Sequence, residues 1–515
     1  MSSEDERPPR VGLGLLKRAA VAFIVVMSLS ATAVASAVLL EITDVKTTFL
    51  KAGREQIDIP EITRAEAGDP RTFLVLGSDQ RWQDTHGPMR RKPLSDTILL
   101  ARVDPDLKRI AVMSIPRDLE VDIPGCGRQK INQAYACGGP RRTVTTIKQL
   151  FERATGKPFP ITNVINVNFG GFRRAVNYIG GVYVDVDRRY FNDNSAPGPG
   201  GPYATIDIQP GYQKLKGQDA LDYVRYRHTD NDLVRAARQQ DFLRQVSHQA
   251  GVRRLLDISK RRQLARIFGQ YFQVDKSFRS TKNILSLIKM ALFVTSQNAP
   301  VNEVRFPARE SADPAVNTFL HVSAAGLRRA YRQFMSGVGS TNPRPTPKLT
   351  AADKRFRKLK GRSNKPSSIK GLEVTRREGE DLAVLAAPKL RFPFYFPTLR
   401  YVGSRYVNDG GPRIYTIRDE LGKPHQAYRL VLFEGFGEYY GIQGMTWRDP
   451  PILDHPDQVK NVGGRKLLLY YDGKRVRIVA WKTPRAVYWV SNTLSQSLSK
   501  AQIIGIAASL RRLKQ

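Results

Sequence analysis

Between Ala19 and Leu40 the chain runs for 22 residues without a charged side chain. At about 1.5 Å per residue, a helix of that length crosses the hydrocarbon core of a bilayer. The run therefore assigns the residues on its two sides to different compartments. Arg10, Lys17 and Arg18 precede it, while Glu41 and Asp44 follow. That asymmetry predicts a cytoplasmic tail (residues 1–18), a single transmembrane anchor (19–40) and an extracytoplasmic remainder. The alternative is a cleaved signal peptide, because Ala35-Ser36-Ala37 resembles a peptidase site. The run exceeds an ordinary signal core, which favours the uncleaved anchor. On either reading nucleic acid is excluded as a partner. The 83 Lys+Arg against 47 Asp+Glu, a net charge of +36, then point to an anionic lipid surface, such as the cytoplasmic membrane, or to an acidic wall polymer.

Beyond a polar connector (41–70), short apolar runs alternate with helical spacing through residue 336. TFLVL at Thr72–Leu76 reads as a buried strand, and Thr97–Val103 with Arg109–Ile115 as a hairpin across Asp104-Pro105. Thr143–Thr155, capped by Thr143, and Phe172–Ile179 read as helices, and Val164–Val167 and Val182–Val186 as strands. Helices are expected at Gly217–Tyr226 and from Asp232 through about Phe293, then a strand near Val304 and a helix at Ala324–Phe334. This order predicts an α/β fold, an α-β-α sandwich around one sheet; the sheet is expected to be mixed, although the element order alone fixes neither its strand order nor its direction. Residues 337–381 form a basic linker, with ten basic residues against Asp353 alone in Arg344–Lys370. It suits lipid headgroups, wall polymer or a solvated tether equally. Residues 382–515 are expected to be an α+β domain of aromatic-rich strands closed by a helix with a Ser499-x-x-Gln502 capping box. Its tryptophans are expected in its core rather than on a sugar platform.

Two cysteines, Cys126 and Cys137, are the only ones in the chain. Outside the membrane a disulfide between them is permitted. Two thiols with no histidine between them are too few for a metal site.

Candidate chemistry gathers elsewhere. Arg225 and Arg227 would share a face if their segment is extended. Asp232 stands where a helix would start. Arg235, Arg238 and Gln239 then fall on one helical face. Forked guanidiniums converging from two elements can grip a poly-oxygen anion, phosphate above all; a solvated basic face fits the same spacing. Asp79 follows the first strand and Asp96 opens the next. Paired carboxylates at neighbouring strand ends are how a protein holds Mg²⁺ that also binds substrate phosphates, although either alone is commonly a cap or turn residue. Arg117 ends a third strand, and Lys130 lies between the cysteines. Ligand sites of open α/β sheets gather at such strand ends.

The blocks LVLGSD, LSDTILL, MSIPRD, KINQAYACGG, VNFGGF, IGGVYVDV and LKGQDALDYVRYRHTDNDLVRAARQQ run in order over about Arg71–Arg244. Together they strongly resemble the LytR–CpsA–Psr family of cell-wall ligases. The resemblance implies a membrane-anchored extracytoplasmic phosphotransferase. Such an enzyme takes a glycopolymer from polyprenyl pyrophosphate and joins it to peptidoglycan through a phosphodiester, usually on the muramic acid 6-hydroxyl. By the same resemblance Asp79 and Asp96 hold Mg²⁺, with Asp79 also the candidate base. Arg117, Arg225, Arg227 and Arg235 grip the pyrophosphate with Gln239 beside them, Lys130 is a further contact, and Arg238 fits the same block as a contact or points elsewhere. Where family members commonly carry Arg, this chain has Leu94, so that contact is either lost or supplied by Arg90 or Arg91. Helices after Asp241 would wall a groove for the polyprenyl tail, whereas periodicity alone makes them core. Three rivals stand beside this reading. A pyrophosphatase would use the same groups with water as acceptor. A membrane-tethered transcription regulator needs a cytoplasmic basic domain, against the charge asymmetry at the anchor. A polymer-binding protein accounts for the charge but not for the paired aspartates.

The topology is directly testable. Protease added outside intact spheroplasts is expected to degrade everything beyond about Glu41; a large fragment protected until lysis would refute the orientation.

Overall fold

The computed structural model describes residues 56–66, 68–78, 92–195, 204–226, 232–247, 249, 272–279, 283, 301–310, 319–339, 367–407, 411–435 and 437–513. The anchor run 19–40, the expected helices across 251–271 and 284–293, and most of the basic linker lie outside these residues. Among the described residues no helix is long and apolar enough to cross a membrane.

The first part of the chain follows the order β1 (Arg71–Ser78), β2 (Ser95–Asp104), β3 (Arg109–Ile115), α1 (Gln133–Thr155), β4 (Asn163–Asn168), α2 (Phe169–Tyr178), β5 (Val182–Val186), β6 (Gly211–Leu215), α3 (Gly217–Arg225), α4 (Asp232–Ser247), β7 (Phe272–Val274), β8 (Val301–Glu303) and α5 (Ala324–Ser336). The central sheet has the order β7-β4-β1-β2-β3-β8. It is mixed, as expected: β1 runs parallel to β4 and β3 to β8, while β2 is antiparallel to both its neighbours. The β2–β3 turn forms because Asp104 Oδ1 accepts from the Leu107 amide at 3.0 Å, a local bond that fixes the reversal.

Side chains alternate between the two faces of a strand, and here the faces differ. Leu74, Leu76, Leu100, Met113 and Val164 point into the main core, where Val144 and Phe151 of α1 and Leu327 and Phe334 of α5 cover them. Val75 and Leu99 point to the other side, toward α2, α3 and α4.

Three departures of local structure from the sequence reading bear on the sheet and its helices. Helix α1 begins at Gln133 rather than Thr143, and is broken at Gly138 and Gly139, the latter at φ +63°. Pro140 then restarts it, having no N–H that a first turn would waste. Thr143 is consequently not a cap: from inside the helix its Oγ1 donates to the Gly139 carbonyl at 3.1 Å. Second, Phe272–Val274 is an edge strand on β4, within a stretch read as helical. Third, β5 does not join the central sheet. It pairs antiparallel with β6 in a separate two-stranded ribbon.

The C-terminal part carries α6 (Arg376–Ala386), then β9 (Arg405–Tyr406), β10 (Arg413–Arg418), β11 (Pro424–Gly435), β12 (Glu438–Met445), β13 (Gln458–Val462), β14 (Arg465–Asp472), β15 (Arg475–Lys482), β16 (Val487–Ser491) and α7 (Lys500–Ser509). These strands form one sheet in the order β9-β11-β12-β16-β15-β14-β13, with β10 also on β11. Trp447, Trp481 and Trp489 are buried, and the Ser499–Gln502 capping box is formed.

Cys126 and Cys137 are bonded. The bond ties the hairpin Glu120–Ile123/Gly127–Lys130 to α1 and encloses the fully buried Ile131. In the loop-entropy account a ring closed over a sequence separation of 11 contributes about 3 kcal/mol. Urea unfolding of the oxidised chain against its reduced, alkylated form should show a loss of about that size; equal midpoints would show that the bond leaves stability unchanged.

Candidate active site

Strands β1 and β2 come closest where the site begins. Gly77 faces Thr97, and the register slips between Gly77 and Ser78. A Cβ on Gly77 would lie 2.9 Å from Thr97 Cβ, so only glycine fits without a shift. The bulge re-aims the strand end. Beside it, Asp96 keeps its side chain 31% exposed while Arg117, 9% exposed, donates Nη1 to Asp96 Oδ1 at 2.5 Å. Arg117 Nε lies 3.5 Å from Asp118 Oδ2, and Lys130 Nζ lies 2.9 Å from Asp118 Oδ1. Lys130 also sits 5.5 Å from the Phe319 ring centre. Asp96, Arg117, Asp118 and Lys130 thus form one string of alternating charge. Such a string holds each group's geometry better than a lone surface pair.

Three helices close over the second sheet face. Asn168 caps α2 by accepting from the Gly171 amide at 2.8 Å, which brings Phe169 and Phe172 over the strand ends. In the last turn of α3, Arg225 Nε donates to Asp222 Oδ1 at 3.0 Å, and its guanidinium lies 5.2 Å from the Phe169 ring centre. Arg225 is therefore helical, not part of an extended segment. On α4, Arg235, Gln239 and Leu243 follow at intervals of four and face the same cavity. Gln239 Nε2 donates to Thr97 Oγ1 at 3.2 Å and to the Val224 carbonyl at 3.1 Å, bracing α4 against both β2 and α3.

The enclosed cavity has a volume of about 410 Å³. Its walls are apolar, among them Val75, Leu99, Phe172, Val224, Phe242 and Leu243. Its polar lining residues are Asp96, Thr97, Asn168, Arg225, Arg235 and Gln239. The register explains the grouping of the strand residues: Gly77 pairs with both Thr97 and Val167, and Ser78 with Asn168, so these residues share one end of the sheet. An apolar body with guanidiniums and a carboxylate at one end accommodates an amphiphile with an anionic head.

Arg238 lies elsewhere. It is fully buried, and its Nη1 donates to the carbonyls of Tyr223 and Tyr226 at 2.9 and 3.0 Å. Its guanidinium lies 4.5 Å from the Tyr190 ring centre. Spacings of three and four do not coincide on a helix (they differ by ~100° of rotation), and α4 turns the Arg238 flank toward the tyrosines. Burial pushes the nearby Asp187 carboxyl up, against the opposing pull of Arg188, the Tyr190 hydroxyl and Arg238. Arg238 thus fastens the end of α3 from which Arg225 projects. Leu94 is half-buried just before β2. Asp79, Arg227, Arg90 and Arg91 lie outside the described residues. Among the described residues no group of three or more His, Cys, Asp or Glu side chains could hold a metal. Sequence reasoning missed Asp222, Thr97 and Asn168; the only sequence signals were Asp222 three residues before Arg225 and Asn168 three before Gly171.

Residues 29–327 match the sequence profile of the LytR_cpsA_psr family. A polyisoprenyl-teichoic acid–peptidoglycan teichoic acid transferase, TagU of Oceanobacillus iheyensis, is 30% identical over 226 residues, 42% of this chain and 62% of the relative. The chain thus spans less than two thirds of that relative's length. TagT of Bacillus subtilis, named for the same activity, is 28% identical over 298 residues, 57% of this chain and 85% of the relative. A solved structure of the LytR-CPS2A-psr family protein YwtF (TagT) with bound octaprenyl pyrophosphate lipid aligns with 55% of this chain and 99% of its own at 22% identity and a TM-score of 0.37. With the family profile matching more than half of its residues, the chain belongs to the LytR–CpsA–Psr family.

Proposed function

We propose that this chain is a membrane-anchored, extracytoplasmic, Mg²⁺-dependent phosphotransferase that moves a glycopolymer from a polyprenyl-pyrophosphate carrier to peptidoglycan. One observation supports this above the rest: a single cavity joins long apolar walls to Arg225, Arg235, Gln239 and Asp96. A prenyl chain needs the first part and a pyrophosphate the second. The activity named for the teichoic acid transferases of Bacillus subtilis and Oceanobacillus iheyensis is of this class.

Phosphoryl transfer asks little covalent chemistry of a protein; it asks for positioning and for positive charge around the transferring group. Arg225 and Arg235, with Arg227, supply that charge. The acceptor hydroxyl attacks the sugar-proximal phosphorus and the bond to the bridging oxygen breaks. Polyprenyl phosphate leaves, while Asp79 takes the hydroxyl proton. Arg117 fixes the Asp96 carboxylate, and Gln239 fixes α4 against β2. Asp96 with Asp79 would hold Mg²⁺, an ion suited by one or two carboxylates plus substrate phosphates, which when bound neutralises phosphate charge.

Transfer of a labelled lipid-linked saccharide to a peptidoglycan fragment tests the assignment. Asp79→Ala and Arg227→Lys should each cost roughly 3 kcal/mol of transition-state stabilisation, about a hundredfold in rate, with circular dichroism unchanged. Release of free saccharide phosphate in place of linked product would establish the pyrophosphatase instead. Normal transfer by both folded variants would remove these groups from the mechanism. Ala175→Trp should separately fill the apolar cavity, since Ala175 lines it. Each methylene kept out forfeits about 0.8 kcal/mol, so prenyl pyrophosphate binding should fall by about tenfold or more while inorganic pyrophosphate binding holds. Unchanged binding of prenyl pyrophosphate would place the tail elsewhere.

A further inference from the structure

Helix α4 has a second face, turned away from the cavity. Gln245 on it and Gln249 just beyond it act toward β5 as a neighbouring strand would. Gln245 Oε1 accepts from the Asp185 amide at 2.9 Å. Gln249, just past the helix, accepts from the Tyr183 amide at 3.1 Å and donates to the Tyr183 carbonyl at 3.3 Å. Four helical residues rise about 6 Å, close to the roughly 6.6 Å that two strand residues span, so the two periods match. The ribbon so held is gripped from its other side by the C-terminal sheet. Asp185 Oδ1 pairs with Arg429 Nη1 at 2.9 Å, and Trp489 Nε1 donates to Asp185 Oδ2 at 3.1 Å. The Tyr415 hydroxyl donates to the Tyr212 carbonyl at 2.9 Å.

The C-terminal sheet also reaches α4 directly. Arg244 Nη2 lies 2.8 Å from Asp472 Oδ2 and 3.7 Å from Glu303 Oε2. Leu494 packs on Val234 and Ala237. Arg244 is 8% exposed and Asp472 3%, so each charge depends on the other for its stability out of water. Burial pulls the Arg244 guanidinium down, and Asp472, Asp241 and Glu303 together more than offset this. Arg235, Gln239 and Arg244 belong to the same rigid helix. A rotation about its axis that broke the Arg244–Asp472 pair would swing Arg235 and Gln239 out of the cavity.

We propose that the C-terminal sheet, which lies beyond the family match ending at residue 327, is a built-in buttress behind α4, the helix that carries Arg235 and Gln239 into the site. In this reading Arg244 and Asp472 are positioning residues that set the rotation of α4. The structural claim stands on the geometry above; its catalytic consequence rests on the transferase reading.

Two measurements on the full-length chain in lipid nanodiscs test it. Amide hydrogen exchange over residues 236–246 should quicken at least tenfold in Asp472→Asn, with the disulfide-closed segment unaffected and wild-type protection restored in Asp472→Glu. In the transfer assay Asp472→Asn should lower kcat about tenfold while KM for the acceptor stays within twofold, again with recovery in Asp472→Glu. If Asp472→Asn does not fold, Trp489→Phe removes the indole donor to Asp185, together with part of a buried ring that packs on Tyr212, and should show the same changes at about threefold. Unchanged exchange in a folded variant, or lost activity with α4 fully protected, overturns the proposal. Absence of transfer in the wild type, with the exchange difference present, sinks the transferase reading and leaves the positioning claim intact.

Discussion

Along β1, β2 and β4, Leu74, Leu76, Leu100 and Val164 alternate with Val75, Leu99 and Val167. A strand cannot bury both rows against one layer, because successive side chains point oppositely. The first row is covered by α1 and α5. The second is covered incompletely, since α2, α3 and α4 stand off from it and leave the cavity. Everything proposed about function follows from that inequality. A sheet with two equally filled faces would have the same strand ends and the same arginines, but no room for an apolar tail beside them.

The arginines divide into three kinds of use, although the sequence presents them alike. Arg225 and Arg235 line the cavity. Arg117 holds a carboxylate in place. Arg238, Arg244 and Arg429 are buried, clamping carbonyls or pairing with carboxylates. A buried guanidinium is costly unless it is paired and hydrogen-bonded, so these three pin the elements they join to one arrangement. Composition reports only their sum, a net charge of +36.

What the sequence made legible was local. The Asp104-Pro105 turn, the Ser499–Gln502 box and the paired cysteines each depend on residues close in the chain, and each is present. The α/β sandwich around one sheet followed from strands alternating with helices, but the order of its strands did not. Motif blocks located Asp96, Arg117, Arg225, Arg235 and Gln239, which the structure gathers at one end of the sheet and on the helices over it. Arg238 went astray because helical spacing defines neighbours on a helix but not the direction in which the helix is turned; only packing against Tyr190 and Tyr223 settles that. The β5–β6 ribbon was illegible for a related reason. Its partner across the open edge is a pair of glutamine side chains rather than a strand, and no strand pattern announces them.

That substitution of amides for a strand has a consequence for solubility. An unpaired edge is a template on which other chains can add, and proteins ordinarily blunt it with charge, proline or a bulge. Here Gln245 and Gln249 occupy the very groups an intruding strand would need, at Asp185 and Tyr183. The protection is only as permanent as the docking of one helix. A chain in which α4 comes loose would expose a valine-rich edge, Val182–Val186. Self-association would then be the earliest visible sign of a helix out of place.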